Sequence, residues 1–214
     1  MSGLNLRPEN DPLLDPTPSV SAMQNLRGLL GPAIQSHQGM AVFDIGQHMS
    51  YLMVSEGSHG HVAPVVHFMH LGLKMLTDRT FKKRMPNGAQ LETAILVVED
   101  AVMPLARLVP PSTVLATRDP LLLHIARTAA GDMALGEAFP APDCAPPAVS
   151  REAIETLFNQ AADQVLRGVA DTRLPQEPVW LAGLLVLREA MHHWQFPMLR
   201  LLPREWEMEP GTVL

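Results

Sequence analysis

The segment His59–Val109 contains two apolar runs, VAPVVHFMHLGLKML (62–76) and AQLETAILVVEDAVMPLARLV (89–109). In the second run, apolar side chains recur every three or four residues, which places them on one stripe of a helix; they are Leu91, Ile95, Val98, Val102, Leu105 and Val109. The first run is apolar on nearly all sides apart from His67 and His70. A helix of that kind has no face for water. We therefore predict a buried core helix packed against an amphipathic one.

The composition is that of a globular protein with little charge. Apolar residues make up 47% of the 214 residues and charged residues 18%, against about 25% charged residues in typical domains. This much apolar surface can offset the entropy of the chain, which excludes a disordered protein. Few charges remain to cover the outside. We therefore expect a homo-oligomer, in which some apolar area is buried between subunits.

The charge and the cysteine content argue against nucleic-acid binding and against a disulfide-bonded protein. The net charge of −6 and the pI of about 5.8 argue against nucleic-acid binding, which needs a basic patch. Cys144 is the single cysteine, so nothing indicates an oxidising compartment. The N-terminal residues hold no apolar run typical of a signal peptide, and no apolar stretch reaches the length of a membrane span. We expect a cytoplasmic protein with no membrane or nucleic-acid partner, and a protein partner is compatible with this composition.

Prolines divide the chain. Four of them lie in residues 1–18, which we predict to be a flexible Pro-rich arm. Residues 19–214 are predicted to be a single mostly helical domain with a Pro-rich loop at 136–150. Further helices are predicted where a capping residue precedes an apolar pattern. They begin near Ser19 or Ser21, at Asp119-Pro120, at Ser150 and after Pro178.

Residues 40–56 fit two secondary structures. Two short apolar runs bounded by glycines predict strands that form a hairpin across Asp44–Ser50. The roughly helical spacing of Val42, Ile45 and Met49 fits a helix instead, but the flanking glycines favour strands. We predict a mainly α fold, a single-domain helical bundle with one small β-hairpin near residues 40–56. An α+β fold is the alternative.

One short resemblance follows the first of these runs. Asp44-Ile45-Gly46 is similar to the first phosphate loop of sugar kinases and related ATPases. The similarity spans three residues, and the glycine and threonine that should follow are absent. A domain of that type also needs more chain than this one has. We therefore do not adopt this interpretation, and no family is identified.

Clustered histidines are the main candidates for a site. His67 and His70 are spaced i, i+3, so on a helix they would share a face and could bind one metal ion together. Glu189 and His192 form a Glu-x-x-His pair, the unit that di-iron helix bundles use twice. His67, His70, Glu189 and His192 are therefore the candidate metal ligands. Imidazole and carboxylate ligands suit a divalent metal such as Zn, Fe or Mn.

A structural role explains the same residues more simply. A di-iron bundle needs Glu-x-x-His twice, and this sequence has it once. Glu92 and Glu99 could supply further carboxylates, but the helix pattern places both on a solvent-exposed side of the helix. A histidine on an apolar helix is more often a core residue. The expectation is therefore no cofactor, with a divalent metal as the alternative.

No complete catalytic motif supports an enzyme. Cys144 lies in a loop without a basic neighbour that would activate it, and a nucleotide-binding glycine loop is absent. Trp180 and Trp194 are predicted interface residues, because tryptophan is enriched at the centres of contacts. The pattern favours a non-catalytic helical accessory or assembly protein that acts through protein–protein contacts. The alternative is a small helical metal-binding protein or metalloenzyme, so the question of catalysis stays open.

The shortage of surface charge predicts a homodimer. Sedimentation or light scattering at micromolar concentration should give a mass near twice the 23.4 kDa of the chain. A mass close to that of one chain would contradict the prediction.

Overall fold

A six-stranded mixed sheet forms the centre of the computed structural model, which describes residues 20–57, 64–131, 145–168 and 173–202. The order across the sheet is β3-β2-β1-β4-β6-β5. Neighbours β1, β4 and β6 run parallel, and the remaining pairs are antiparallel. The strands are β1 (Met40–Ile45), β2 (Ser50–Ser55), β3 (Val65–Met69), β4 (Val114–Thr117), β5 (Ala148–Ser150) and β6 (Met198–Leu201).

Helices cover both faces of the sheet. They are α1 (Val20–Leu30), α2 (Gly88–Val102), α3 (Pro120–Ala130), α4 (Arg151–Arg167) and α5 (Pro178–His193), with short helical turns at Gly31–Ala33, Met75–Thr80 and Met103–Leu108. The main core lies between one face of the sheet and α2 to α5, whereas α1 packs on the other face. None of the helices in the described ranges is long and apolar enough to cross a membrane.

The two faces follow from the alternation of side chains along a strand. In β1, Ala41, Phe43 and Ile45 belong to the main core, whereas Met40 and Val42 pack with α1. Residues two apart along a strand share a face. Because β1 is covered on both sides, nearly all of its side chains are apolar, and the alternation cannot be read from the sequence.

The prediction of a mainly α, single-domain helical bundle is wrong. The fold is α+β, the class given above as the alternative. The hairpin expected near residues 40–56 is present, with Phe43 opposite Leu52. It is the middle of a larger sheet and not an isolated feature. Strands β3 to β6 could not be predicted from the sequence because they are only three to five residues long, and most of their partners are distant in the chain.

The predicted core helix over 62–76 is also corrected. Its described part contains strand β3, which pairs with β2 and forms one edge of the sheet, followed by the helical turn Met75–Thr80. A short apolar run does not distinguish a buried helix from a strand, and the β-branched Val65 and Val66 favour a strand. Val65 and Phe68 are exposed, as is common at a sheet edge.

Capping residues begin α2, α3 and α4, and those of α3 and α4 are the ones that the sequence predicted. Asn87 and Gln90 form a reciprocal capping box at α2, and the Ser150 hydroxyl accepts from the Ala153 amide at α4. The pKa of Glu152 in the first turn of α4 is lowered, because its carboxylate accepts from its own backbone N–H and from the Ser150 hydroxyl. Pro104 falls where α2 changes to the 3-10 turn, as expected of a proline within a helix.

Two predicted segments fall largely beyond the described residues. The Pro-rich arm 1–18 lies outside them, as do residues 136–144 of the Pro-rich loop. The end of that loop, Ala148–Ser150, forms β5.

Val98→Asp tests the core. Val98 is buried on the inner face of α2, so an unpaired carboxylate there should lower the free energy of unfolding by more than ~3 kcal/mol. Leu96→Asp is the matched control, because Leu96 lies on the same helix and is 62% exposed. Urea denaturation of both variants measures the difference. Equal stability of the two would mean that this face of α2 is not buried.

Candidate functional site

Four strands end at the same edge of the sheet. Strands β1, β4 and β6 are parallel, and β3 runs in the same direction because β2 is antiparallel to both β1 and β3. In sheets with parallel strands, ligands bind outside the carboxyl ends. This edge, hereafter the carboxyl edge, carries Asp44, Arg118 and Asp119, together with the turn Gly46–Met49.

Asp119 ties the elements at the carboxyl edge together. Its Oδ1 accepts from the amides of Leu121 and Leu122 at 2.8 and 3.2 Å, which caps α3. Its Oδ2 accepts from the Ile45 amide at 3.2 Å, at the end of β1. The sequence predicted the helix cap, but it contained no signal for the second bond. One buried carboxylate thus joins β1, β4 and α3.

Asp44 is a buried acid that faces an arginine. Its Oδ2 accepts from the Tyr51 hydroxyl at 3.0 Å and lies 3.9 Å from Nε of Arg118. The Arg118 Nε is buried and has no hydrogen-bond partner among the described residues. A guanidinium group offers five donors in a planar fork that matches an anionic oxygen pair. Asp44 therefore balances the charge of Arg118, whose Nε still has an N–H group to donate.

The turn Gly46–Met49 is fixed against the segment that follows β3. The amides of Leu73 and Lys74 donate to carbonyl groups of this turn at 3.0 and 2.9 Å. A Cβ atom on Gly72 would collide with the backbone of the turn, so only glycine allows this approach. The two segments form one rigid unit of backbone.

A cleft of about 340 Å³ opens beside that unit. Lys74 and Arg79 carry positive charge, Asp78 carries the opposing charge, and two histidines complete the polar lining. The lining residues are His48, His70, Lys74, Met75, Asp78 and Arg79. Cations thus outnumber carboxylates in this cleft, which makes it suited to an anion.

A second polar group lies between α2 and α5. The Nε2 atom of His193 is 3.4 Å from Oε2 of Glu189 and 3.8 Å from Oε1 of Glu99. The three ligand atoms lie within 4.8 Å of one another. Arg188 donates to the other oxygen of Glu189. This is the one group of three potential metal ligands in the described part of the chain.

The structure separates the residues predicted to bind a metal. His67 lies in β3 and His70 directly after it, so the two do not share a helix face. His192 is exposed, with Nδ1 3.4 Å from Oε1 of Glu155. Of the predicted set, Glu189 alone belongs to the three-residue group. His193 was missed, although its i, i+4 spacing from Glu189 was the available signal.

The two predicted interface tryptophans are buried, and the single cysteine lies outside the described residues. Trp180 and Trp194 are buried in the core of this chain and not on its surface. The Trp194 ring stands edge-on to Phe43 at 5.0 Å, and its N–H donates to the Val102 carbonyl at 2.9 Å. Cys144 lies outside the described residues.

Comparison with solved structures identifies the fold. No protein-family model and no curated protein sequence matches the chain. The type II variant of the Aquifex aeolicus Ppx/GppA phosphatase is similar, with a TM-score of 0.58 and 15% identity over 80% of this chain and 55% of that one. An exopolyphosphatase from Cytophaga hutchinsonii has a TM-score of 0.58 and 12% identity over 83% and 57% of the two chains.

These comparisons correct the predicted function. The present chain spans little more than half the length of the two similar structures. The expectation of a non-catalytic helical accessory or assembly protein is wrong, because the fold is not a helical bundle and the similar structures are those of a phosphatase and an exopolyphosphatase. At this identity, the similarity shows the fold and leaves the chemistry to the site.

Asp119→Ala tests the link at the carboxyl edge. The substitution removes the acceptor of three backbone amides, and we expect a loss of about 2–4 kcal/mol in the free energy of unfolding. Ser150→Ala removes the cap of α4 and the hydrogen bond to the exposed Glu152 carboxylate, with no link to another strand, and should cost about 1 kcal/mol. Equal losses in a denaturant titration would show that the bond to Ile45 contributes nothing.

Proposed function

We propose that the chain binds the phosphate groups of a phosphoanhydride such as inorganic polyphosphate, and that it belongs to an enzyme that hydrolyses this substrate. The observation that carries the proposal is the cationic cleft at the carboxyl edge of the sheet. A cytoplasmic location, predicted from the sequence, is part of the proposal.

The lining of the cleft supports a phosphate ligand. Lys74 and Arg79 supply N–H donors with full positive charge, and His48 and His70 add ring nitrogens. Charge-assisted hydrogen bonds to phosphate oxygens are about twice as strong as neutral ones. Neighbouring phosphates in a chain repeat the same charge, so the two cations of the cleft, Lys74 and Arg79, favour a polyanion over a single carboxylate.

Arg118 provides a further donor at the same edge. Its Nε is buried without a hydrogen-bond partner in the described residues, while Asp44 lies 3.9 Å away and balances its charge. A guanidinium group held in this way can bind two phosphate oxygens at once. We propose that Arg118 binds and orients phosphate, and that Asp44 positions Arg118.

The shared fold supports hydrolysis as the reaction. Two solved structures with this fold are those of a phosphatase and an exopolyphosphatase. In the proposed reaction, water attacks a terminal phosphorus atom, the bond to the bridging oxygen breaks, and phosphate is released. Cations around the cleft would stabilise the charge on the equatorial oxygens during this transfer.

A divalent cation is the proposed cofactor, because it would neutralise charge on the transferred phosphoryl group. The described residues fit it poorly at the cleft itself: Asp78 is the single carboxylate in the lining, and Asp44 already faces Tyr51 and Arg118. Mg²⁺ is usually bound through substrate phosphates and one or two carboxylates. A divalent cation would therefore enter the cleft together with a phosphate substrate.

Calorimetric titration with tripolyphosphate tests the cleft. Arg79→Gln should weaken binding about 10-fold, because it removes one charge-assisted contact. Arg107→Gln is the matched control, since Arg107 is exposed on a helical turn and does not line the cleft. The rate of phosphate release in the presence of Mg²⁺ should likewise fall in Arg79→Gln and stay unchanged in Arg107→Gln. Equal affinities of the two variants, or no binding by the parent, would refute the proposal.

A further inference from the structure

We propose that Glu99, Glu189 and His193 bind one divalent transition-metal ion, with zinc as the preferred ion. Glu189 and His193 are four residues apart on α5, whereas Glu99 belongs to α2, so the group lies between the C-terminal ends of these two helices. The proposal does not depend on phosphate binding or on hydrolysis.

The distances fit a common ion. Ligands 2.0–2.2 Å from a tetrahedral zinc ion lie about 3.3–3.6 Å from one another. The Nε2 atom of His193 is 3.4 Å from Oε2 of Glu189 and 3.8 Å from Oε1 of Glu99. All three atoms fall within 4.8 Å of one another. Both distances from His193 are within about 0.5 Å of that range, so rotation of the partly exposed Glu99 side chain would bring its oxygen to the same ion.

Burial gives the second, independent reason. Glu189 is 1% exposed, and both its Oε2 and the Nε2 of His193 are buried atoms without a hydrogen-bond partner among the described residues. A buried carboxylate oxygen without a partner is costly. The two atoms face each other at 3.4 Å without forming a hydrogen bond. A metal ion between them would give each atom a ligand bond.

Arg188 and Phe158 hold Glu189 in place. Arg188 donates to Oε1 of Glu189, which leaves Oε2 directed at His193. The Arg188 guanidinium lies 5.2 Å from the centre of the Phe158 ring, a cation–π contact that fixes its position. Outer hydrogen bonds of this kind orient the ligands in known metal sites.

The donor set indicates the class of metal. One imidazole and two carboxylates suit zinc, iron or manganese more than calcium or magnesium, which prefer oxygen donors alone. Three protein ligands leave a fourth position for a small molecule, as in catalytic zinc sites. Glu99 and His193 are 34% and 22% exposed, so the position can be reached from solvent.

The site is separate from the cleft. Helix α5 ends at His193 and leads into β6, which begins at Met198. The C-terminal end of α5 therefore lies near the amino end of β6, whereas the cleft lies beyond the carboxyl end of β1, and these strands run in the same direction. The ion would bind at the opposite edge of the sheet from the cleft.

Zinc titration of the full, untagged chain after treatment with a chelator tests the site. We expect one zinc ion per chain by elemental analysis, a rise in Tm of about 5 °C or more with excess zinc, and a visible absorption spectrum when cobalt replaces zinc. Glu99→Gln and His193→Gln should each weaken zinc binding at least 10-fold and remove the cobalt spectrum. Circular dichroism confirms that each variant is folded.

His192→Gln is the control variant. His192 precedes His193 on the same helix but lies against Glu155 and outside the group, so its loss should leave zinc affinity unchanged. Absence of zinc binding in the parent would overturn the proposal. Binding that persists in both Glu99→Gln and His193→Gln, or that is lost in His192→Gln alone, would place the ion elsewhere and overturn it as well.

Discussion

The bond between Asp119 and the Ile45 amide is the constraint on which the carboxyl edge depends. It joins residues 74 positions apart, while the same carboxylate caps α3. The Thr117 hydroxyl donates to the Phe43 carbonyl at 2.8 Å and strengthens the link between β4 and β1. Because these groups are buried, each lost bond would leave an unsatisfied polar atom. Strand pairing, helix position and the placement of Arg118 all follow from this arrangement.

The two ends of the strands carry different charged groups, because the strand direction determines which connections meet at each end. Parallel strands share one direction, so their carboxyl ends, the Gly46–Met49 turn and the cleft lie at one edge. The connections that precede those strands lie at the other edge, where α2 and α5 end and bring carboxylates next to His193. Cationic groups line the first site, whereas carboxylates dominate the second. Each site would therefore select a ligand of the opposite charge.

The errors in the predicted fold have two physical causes. A short apolar run does not distinguish a strand from a buried helix, and a strand of three or four residues whose partner is distant in the chain has too few residues to show a pattern. Strand β3 lies in a run that was predicted to be helical, and β4 and β6 are each four residues long. The same assignment underlies the prediction that His67 and His70 share a helix face. In the structure His67 lies in β3 and His70 follows the strand, so the two do not lie on one helix.

The features that could be predicted from the sequence, such as helix starts, depend on interactions between residues close together in the chain. The caps at Asp119 and Ser150 act within a few residues, so the starts of α3 and α4 could be predicted. Glu189 was likewise recognised as a potential ligand. Only the tertiary structure decided its partners, because Glu99 precedes it by 90 positions and no local pattern relates the two helices. The same holds for Asp44 and Arg118, which β1 and β4 bring together by pairing across the sheet.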